Sequence, residues 1–334
     1  MNKKYRVALV GCGNISKNHL LALKEIENVE IVALCDIKPE RAEKKKLDLG
    51  IDCSVYSDYV EMLNKEALDS VHITTPHYLH APMAIEALGR NINVFLEKPV
   101  CISREEIKAL LDAEAKSNAK ITVCFQNRFN PTTLLAKKII DEDGGAKCAY
   151  ATVFWNRTEK YYTESGWRGT YATEGGGVMI NQAIHTIDLL CQILGTPKTL
   201  FATKANHHLQ GIIEVEDMCE GLIKFEDGKT ANFYTTTAFV GGDMTTVVVK
   251  TKNHTVTIND NSVLYLDNNR VEDPSLVTKF VGKACYGNGH DYTIKAFYQA
   301  IDTDTEVPVS LESSTYALRI LLAAYESNDK ETII

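Results

Sequence analysis

Two short stretches near the N-terminus combine residue types and a spacing that suit cofactor chemistry. Gly11-Cys12-Gly13-Asn14-Ile15-Ser16 is a G-x-G-x-x-S turn directly after the apolar run Tyr5–Val10. Small residues there let the backbone turn tightly and approach a pyrophosphate, which rests on the N–H groups of the helix that follows. Gly11, Gly13, Asn14 and Ile15 are therefore candidate cofactor contacts, and Ser16 is small enough for close helix–strand packing. Asp36 lies 23 residues beyond Gly13, at the end of a second β-like run. A carboxylate at that point accepts hydrogen bonds from the adenosine ribose hydroxyls. It also repels a 2′-phosphate, so NAD is expected over NADP, although Lys38 and Arg41 are near enough in sequence to help an NADP phosphate. The structural alternative is that Asp36 only caps the turn Ile37-Lys38-Pro39-Glu40.

Two later segments carry groups that handle protons. Lys98 follows the run Val94-Phe95-Leu96-Glu97, and parallel sheets bind ligands beyond the carboxyl ends of their strands. Asn181, His185 and Asp188, spaced i, i+4, i+7 behind Gly175-Gly176-Gly177, share one face of a helix. Histidine titrates nearest neutral pH, and a lysine ammonium stabilises a developing alkoxide. The structural alternative is a core histidine satisfied by a backbone carbonyl, with Asp188 as a buried cap.

The opening turn, Glu97-Lys98-Pro99 and the Gly-Gly-Gly…His-x-x-Asp segment together resemble the glucose–fructose oxidoreductase / inositol dehydrogenase / MocA family over nearly the whole chain. The resemblance implies hydride transfer at a sugar or cyclitol carbon. It puts Glu97 and Lys98 at the cofactor, Lys98 beside the substrate hydroxyl, His185 as general acid/base, and a cis peptide before Pro99. Two positions depart from the family pattern. Asn181 stands where the family often has Asp, so it orients substrate or imidazole by neutral hydrogen bonds only. His77 replaces a usual asparagine in Thr74-Thr75-Pro76-His77-Tyr78-Leu79-His80, a loop after the fourth strand in which Thr75, Pro76 and His80 are candidate cofactor contacts. His77 with His80, and His207-His208, lack acidic or sulfur partners nearby in sequence, so no metal is expected. Substrate candidates are Arg128, Tyr162, Trp167 and Arg168, joined by Asn181 and His185. An aromatic face suits the C–H side of a pyranose while polar neighbours take its hydroxyls. Arg128 and Arg168 alternatively form salt bridges, or hold a carboxylate or phosphate on the substrate.

These residues need a scaffold, and its pattern is legible. Up to about residue 125, β-like runs alternate with helical stretches (15–27, 58–66, 79–90, 103–118), which predicts βαβ units and a parallel sheet. Beyond it, Thr- and Val-rich runs broken by turns such as Glu226-Asp227-Gly228-Lys229 predict a large, mostly antiparallel open sheet, with helices near 132–142, 178–194, 289–302 and 311–326. The expected division is a Rossmann domain over 1–125 and a substrate-binding and oligomerisation α+β domain over 126–334. A chain of 334 residues calls for two domains, and a net charge of -8 argues against a nucleic-acid or anionic-membrane surface. Nine cysteines without a C-x-x-C pair, several inside apolar runs, fit a reducing compartment, as does the lack of a signal-peptide pattern; a cytoplasmic location is expected. A Thr- and Val-rich sheet needs a cover on its open face, so a homodimer or homotetramer is expected. The leading function is NAD-dependent oxidation or reduction of a sugar-like small molecule. Its rivals are an NAD-retaining glycosidase-type enzyme and a non-catalytic dinucleotide-sensing regulator of the same fold.

Overall fold

A computed structural model describes residues 3–276, 289–327 and 329–334; Cys285 lies outside the described residues. The chain forms two compact units. The first comprises 1–101, 105–124 and 290–313, the second 102–104, 125–289 and 314–334.

Six strands make the sheet of the first unit: β1 (Tyr5–Val10), β2 (Val29–Cys35), β3 (Ser54–Tyr56), β4 (Ser70–Ile73), β5 (Asn93–Leu96) and β6 (Ile121–Val123). All pairs are parallel and the order is β3-β2-β1-β4-β5-β6. This is the doubly wound order, whose reversal between β1 and β4 opens a ligand crevice at their carboxyl ends. These strands are almost wholly buried on both faces, as in a sheet covered by helices on each side. The chain leaves the first unit at Cys124/Phe125, while residues 102–104 fall in the second unit and 290–313 return to the first. The reason is the apolar face of the helix Gly289–Thr303: Ile294, Phe297 and Tyr298 join the core around Tyr5, Leu9 and Phe95.

In the second unit, strands β7 (Cys148–Phe154), β8 (Pro197–Ala205), β9 (Met218–Phe225), β10 (Thr230–Thr236), β11 (Met244–Lys250), β12 (Thr255–Asn259), β13 (Val263–Leu266), β14 (Asn269–Arg270) and β15 (Thr332–Ile333) form one nine-stranded sheet. The order is β14-β13-β12-β11-β7-β10-β9-β8-β15, antiparallel except where β10 meets β7. Side chains alternate between buried and exposed along β7 and β10, so one face is a core face. The helix Pro131–Glu142 packs on that sheet and buries Ala136 and Ile140, and Ile184–Leu194, nearly all of it buried, packs there too.

Candidate active site

The glycine turn after β1 is shaped by its neighbours. Gly11 has φ +91, and a Cβ there would stand 2.6 Å from the Thr74 carbonyl oxygen after β4, so only glycine fits at the crevice between the two strands. Gly13 faces open space, with no protein atom within 4 Å of where a Cβ would be. Asn14 and Ile15 lead into the helix Ser16–Lys24, which has no side-chain cap and no acid in its first turn, leaving its N–H groups for an anion. Buried Ser16 donates to the Gly13 carbonyl at 2.7 Å and closes the turn.

Asp36 is buried and its carboxylate is pinned. Oδ2 accepts from the Cys12 N–H and Oδ1 from the Lys38 N–H, each at 2.8 Å. The turn-capping and ribose-binding readings are thus compatible, because each oxygen keeps a lone pair after its backbone bond. The open Gly13 face, the uncapped helix start and this oriented carboxylate together match what an adenine dinucleotide needs.

On the far side of the crevice, the Lys98–Pro99 peptide is cis. Buried His80 faces the Thr75 carbonyl through Nε2 at 2.9 Å and the Pro99 carbonyl through Nδ1 at 2.6 Å, tying the β4 loop to the Lys98 segment. Burial pushes its imidazole down, and the two carbonyl acceptors act the other way. His80 therefore clamps two loops, and Thr75 meets it through its backbone carbonyl. Pro76 precedes the short helix His77–Leu79, within which His77 is buried.

Glu97, expected at the cofactor, is turned into the core instead. Its Oε1 is 2.9 Å from His19 Nε2 and 3.7 Å from His290 Nε2, and Oε2 accepts from the Lys98 N–H at 3.2 Å. Burial favours the protonated acid, but hydrogen bonding by His19 and His290 outweighs it and holds Glu97 well below its usual range. Burial holds His19 and, more strongly, His72 neutral. An ionised Glu97 only accepts, so the protons order themselves. Tyr298 donates to His72 Nε2 (3.0 Å), His72 Nδ1 donates to His19 Nδ1 (2.9 Å), and His19 Nε2 donates to Glu97. Ser70 completes the chain with a 2.8 Å bond to the Tyr298 hydroxyl. His19, Glu97, Cys124 and His290 bring potential ligating atoms within 4.8 Å of one another. Neighbouring donors on a tetrahedral ion stand roughly 3.3 Å apart, whereas the 2.9 Å His19–Glu97 contact is that of a charge-assisted hydrogen bond. The network fixes the backbone that carries Lys98, which is itself partly exposed.

In the second unit, the stripe expected from Asn181, His185 and Asp188 is interrupted. Met179–Ala183 is a π turn and the α-helix proper begins at Ile184. Such an inserted turn re-aims side chains and recurs at functional sites. Asp188 is fully buried and forms a bidentate pair with Arg128, at 2.6 and 2.8 Å. Burial raises its carboxyl even against that guanidinium. Arg128, a substrate candidate, thus takes the salt-bridge alternative, and its side chain also covers the Phe125 ring. Phe125 in turn meets the His185 ring edge-on, 5.7 Å between centroids. His185 is 8% exposed at the surface of this packed group.

Asn181 has a partner that sequence reasoning missed. Its Nδ2 donates to Glu174 Oε1 at 2.5 Å and reaches the Tyr161 hydroxyl at 3.3 Å. Glu174 also accepts from the Gly169 N–H, and burial pushes its carboxyl up to about 7. The negative charge that Asn181 lacks is therefore supplied next door by a group poised near neutrality. Its only visible signal was a position just before the three glycines. Those glycines do not form an anion cradle: a Cβ at Gly177 would stand 1.8 Å from the Glu216 carbonyl, and the Glu216 carboxylate accepts the Gly177 and Met179 N–H groups. Tyr162 is buried, while Trp167 and Arg168 are partly exposed beside Tyr161.

Residues 5–125 match the oxidoreductase family described by its NAD-binding Rossmann fold, and residues 134–256 match the GFO/IDH/MocA C-terminal domain. The uncharacterized oxidoreductase YrbE of Bacillus subtilis is 27% identical over 98% of this chain and 95% of its own length. Inositol 2-dehydrogenase of Salmonella typhimurium is 32% identical over 138 residues, 41% of each chain. The WlbA dehydrogenase of Bordetella pertussis, solved in complex with NADH and UDP-GlcNAcA, superposes with a TM-score of 0.86 at 27% identity, covering 99% of both chains. No helix among the described residues is long and apolar enough to cross a membrane. With its dinucleotide turn, its Lys98 segment and both matching domains, the chain belongs to the Gfo/Idh/MocA family of NAD-binding oxidoreductases.

Proposed function

We propose that this enzyme transfers hydride between NAD and a hydroxyl-bearing carbon of a sugar, sugar derivative or cyclitol. The observation that carries the reading is the Asp36 carboxylate held on the Cys12 N–H beside the open Gly13 face. It supports NAD over NADP, because a fixed carboxylate at the ribose repels a 2′-phosphate. The inositol dehydrogenase and WlbA relatives support the substrate class.

Bound NAD supplies the hydride acceptor. As the carbinol C–H bond breaks, His185 takes the hydroxyl proton and the C–O bond becomes a carbonyl; in reduction it returns the proton. The Lys98 ammonium donates to the substrate oxygen while negative charge develops there. Asn181, oriented by Glu174 and Tyr161, positions a hydroxyl or the imidazole. We further propose a homodimer or homotetramer. Sheet register sets Tyr150, Tyr234 and Phe201 on the exposed face of three strands, where a second copy would cover them.

A screen of polyols and sugars at 340 nm tests the reaction, with Lys98→Ala and His185→Ala as variants. Each is expected to lose about 10²- to 10⁴-fold in kcat while NADH still raises its melting temperature. Full activity in either variant overturns the proton-handling roles. Turnover without net NADH release favours the NAD-retaining glycosidase alternative.

A further inference from the structure

Beside Asn181 the second unit builds a ladder in which aromatic rings and guanidinium planes alternate. Arg157 lies 4.3 Å from the Trp155 ring centroid and 5.1 Å from that of Tyr161. Arg168 lies 4.4 Å from Tyr161 and 4.6 Å from Trp167. The hydroxyl of Tyr161, the central ring, accepts from Asn181 and Gln182, each at 3.3 Å. The two arginines differ in charge balance. Arg157 pairs with Asp243 at 3.3 Å and donates to the Asn156 carbonyl. Arg168 has no carboxylate within ion-pair distance among the described residues, and its buried Nε has no hydrogen-bond partner there. Glu174 is near enough to sense the Arg168 charge, but its oxygens serve the Gly169 N–H and Asn181. The buried Trp155 Nε1 and Arg157 Nε likewise have no hydrogen-bond partner among the described residues, so the two arginines are set apart by the ion pair to Asp243.

Native proteins rarely leave buried donors unmet, and such groups mark a missing acceptor. Three unmet donors line this ladder, and Arg168 alone of its two arginines lacks a carboxylate partner among the described residues; that uncompensated guanidinium calls for an oxyanion. Stacking on two rings fixes the guanidinium plane, so its fork is pre-organised for two-point recognition. A neutral hydroxyl would leave the charge unbalanced. We propose that Arg168, braced by Tyr161 and Trp167, binds an anionic substituent of the substrate, a carboxylate or a phosphate ester, next to Asn181. This rests on the dehydrogenase reading above and narrows its substrate class from sugars in general to acidic ones.

Binding to the NADH-loaded enzyme tests it with three matched pairs: glucose against glucuronate, glucose against glucose 6-phosphate, and UDP-glucose against UDP-glucuronate. Calorimetry on wild type, Arg168→Gln and Arg168→Lys is the readout. We expect at least one acidic member to bind roughly 10- to 100-fold more tightly than its neutral partner, from a charged hydrogen-bond pair. The pair that discriminates identifies carboxylate or phosphate as the source. Arg168→Gln is expected to abolish the preference and Arg168→Lys to restore it only in part. Both variants should keep the wild-type melting shift with NADH, which shows that they fold. An acid preference that survives in Arg168→Gln overturns the assignment, as does NADH binding with no acid preference in wild type. Absence of NADH binding overturns the dehydrogenase reading itself.

Discussion

Glu174→Gln should change how the stability of the second unit depends on pH. Burial raises the Glu174 carboxyl from 4.5 to about 7, against hydrogen bonds from Gly169 and Asn181 that act the other way. Below pH 4.5 the folded and unfolded chains both hold the proton, and its tighter binding in the fold contributes fully. Between 4.5 and about 7 the unfolded chain releases its proton first, so stability falls as pH rises; above 7 the loss is constant. At 1.36 kcal/mol for each pH decade the full loss is about 3 kcal/mol, of which roughly 2 falls between pH 5 and pH 8. Glutamine is neutral throughout and lacks this slope, while groups remote from the site titrate alike in both chains. Glu216, itself raised to about 7, is one of the charges that raise Glu174, so removing that charge flattens the variant further. The melting temperature of wild type minus variant should therefore shrink by about 5 °C from pH 5 to pH 8, at 2–4 °C per kcal/mol. Scanning calorimetry in matched buffers reads this directly. Parallel melting curves across that range would refute the placement of Glu174 as a buried, proton-binding partner of Asn181.

The two glycines of the dinucleotide turn should respond differently to alanine. Gly11→Ala forces a Cβ to 2.6 Å from the Thr74 carbonyl at φ +91, so the apo protein should lose at least about 2 kcal/mol, seen as a lowered melting temperature. Gly13→Ala meets no protein atom within 4 Å, so the apo melting temperature should hold while the NADH-induced shift collapses; an unchanged shift contradicts the cradle. Arg128→Met leaves Asp188 buried without its guanidinium and should cost about 3–5 kcal/mol in urea unfolding, much of it recovered in Arg128→Met/Asp188→Leu. A double variant no more stable than the single one would show that the pair contributes more than mutual neutralisation.

Much of the first unit was legible because glycine, strand and acid stood in register over a short span. The helix Pro39–Leu49 was read only as a turn, since it buries just Ala42 and offers no apolar stripe to detect. Strand β3 has three residues, and β8 opens on a proline, which discounts a strand reading. The single parallel pair in the second sheet depends on β7 and β10 meeting across more than seventy residues, which local pattern does not encode. The residues that support the proton-handling candidates leave no local signal in the sequence. Glu97 reads as a cofactor contact until His19 and His290, remote in sequence, are seen to claim it. The π turn at Met179–Ala183 leaves no compositional trace, so the face shared by Asn181 and His185 could not be tested from spacing.

The most direct test of NAD-dependent chemistry is a thermal-shift titration with NAD⁺, NADH, NADP⁺ and NADPH on wild type and Asp36→Ala. Binding to the folded state raises the melting temperature by mass action. Wild type should respond to NAD(H) and weakly to NADP(H), while Asp36→Ala should lose about tenfold or more in NAD affinity and shift toward the phosphorylated forms. No stabilisation of wild type by any of the four would contradict the cofactor assignment, and with it the reaction built on Lys98 and His185.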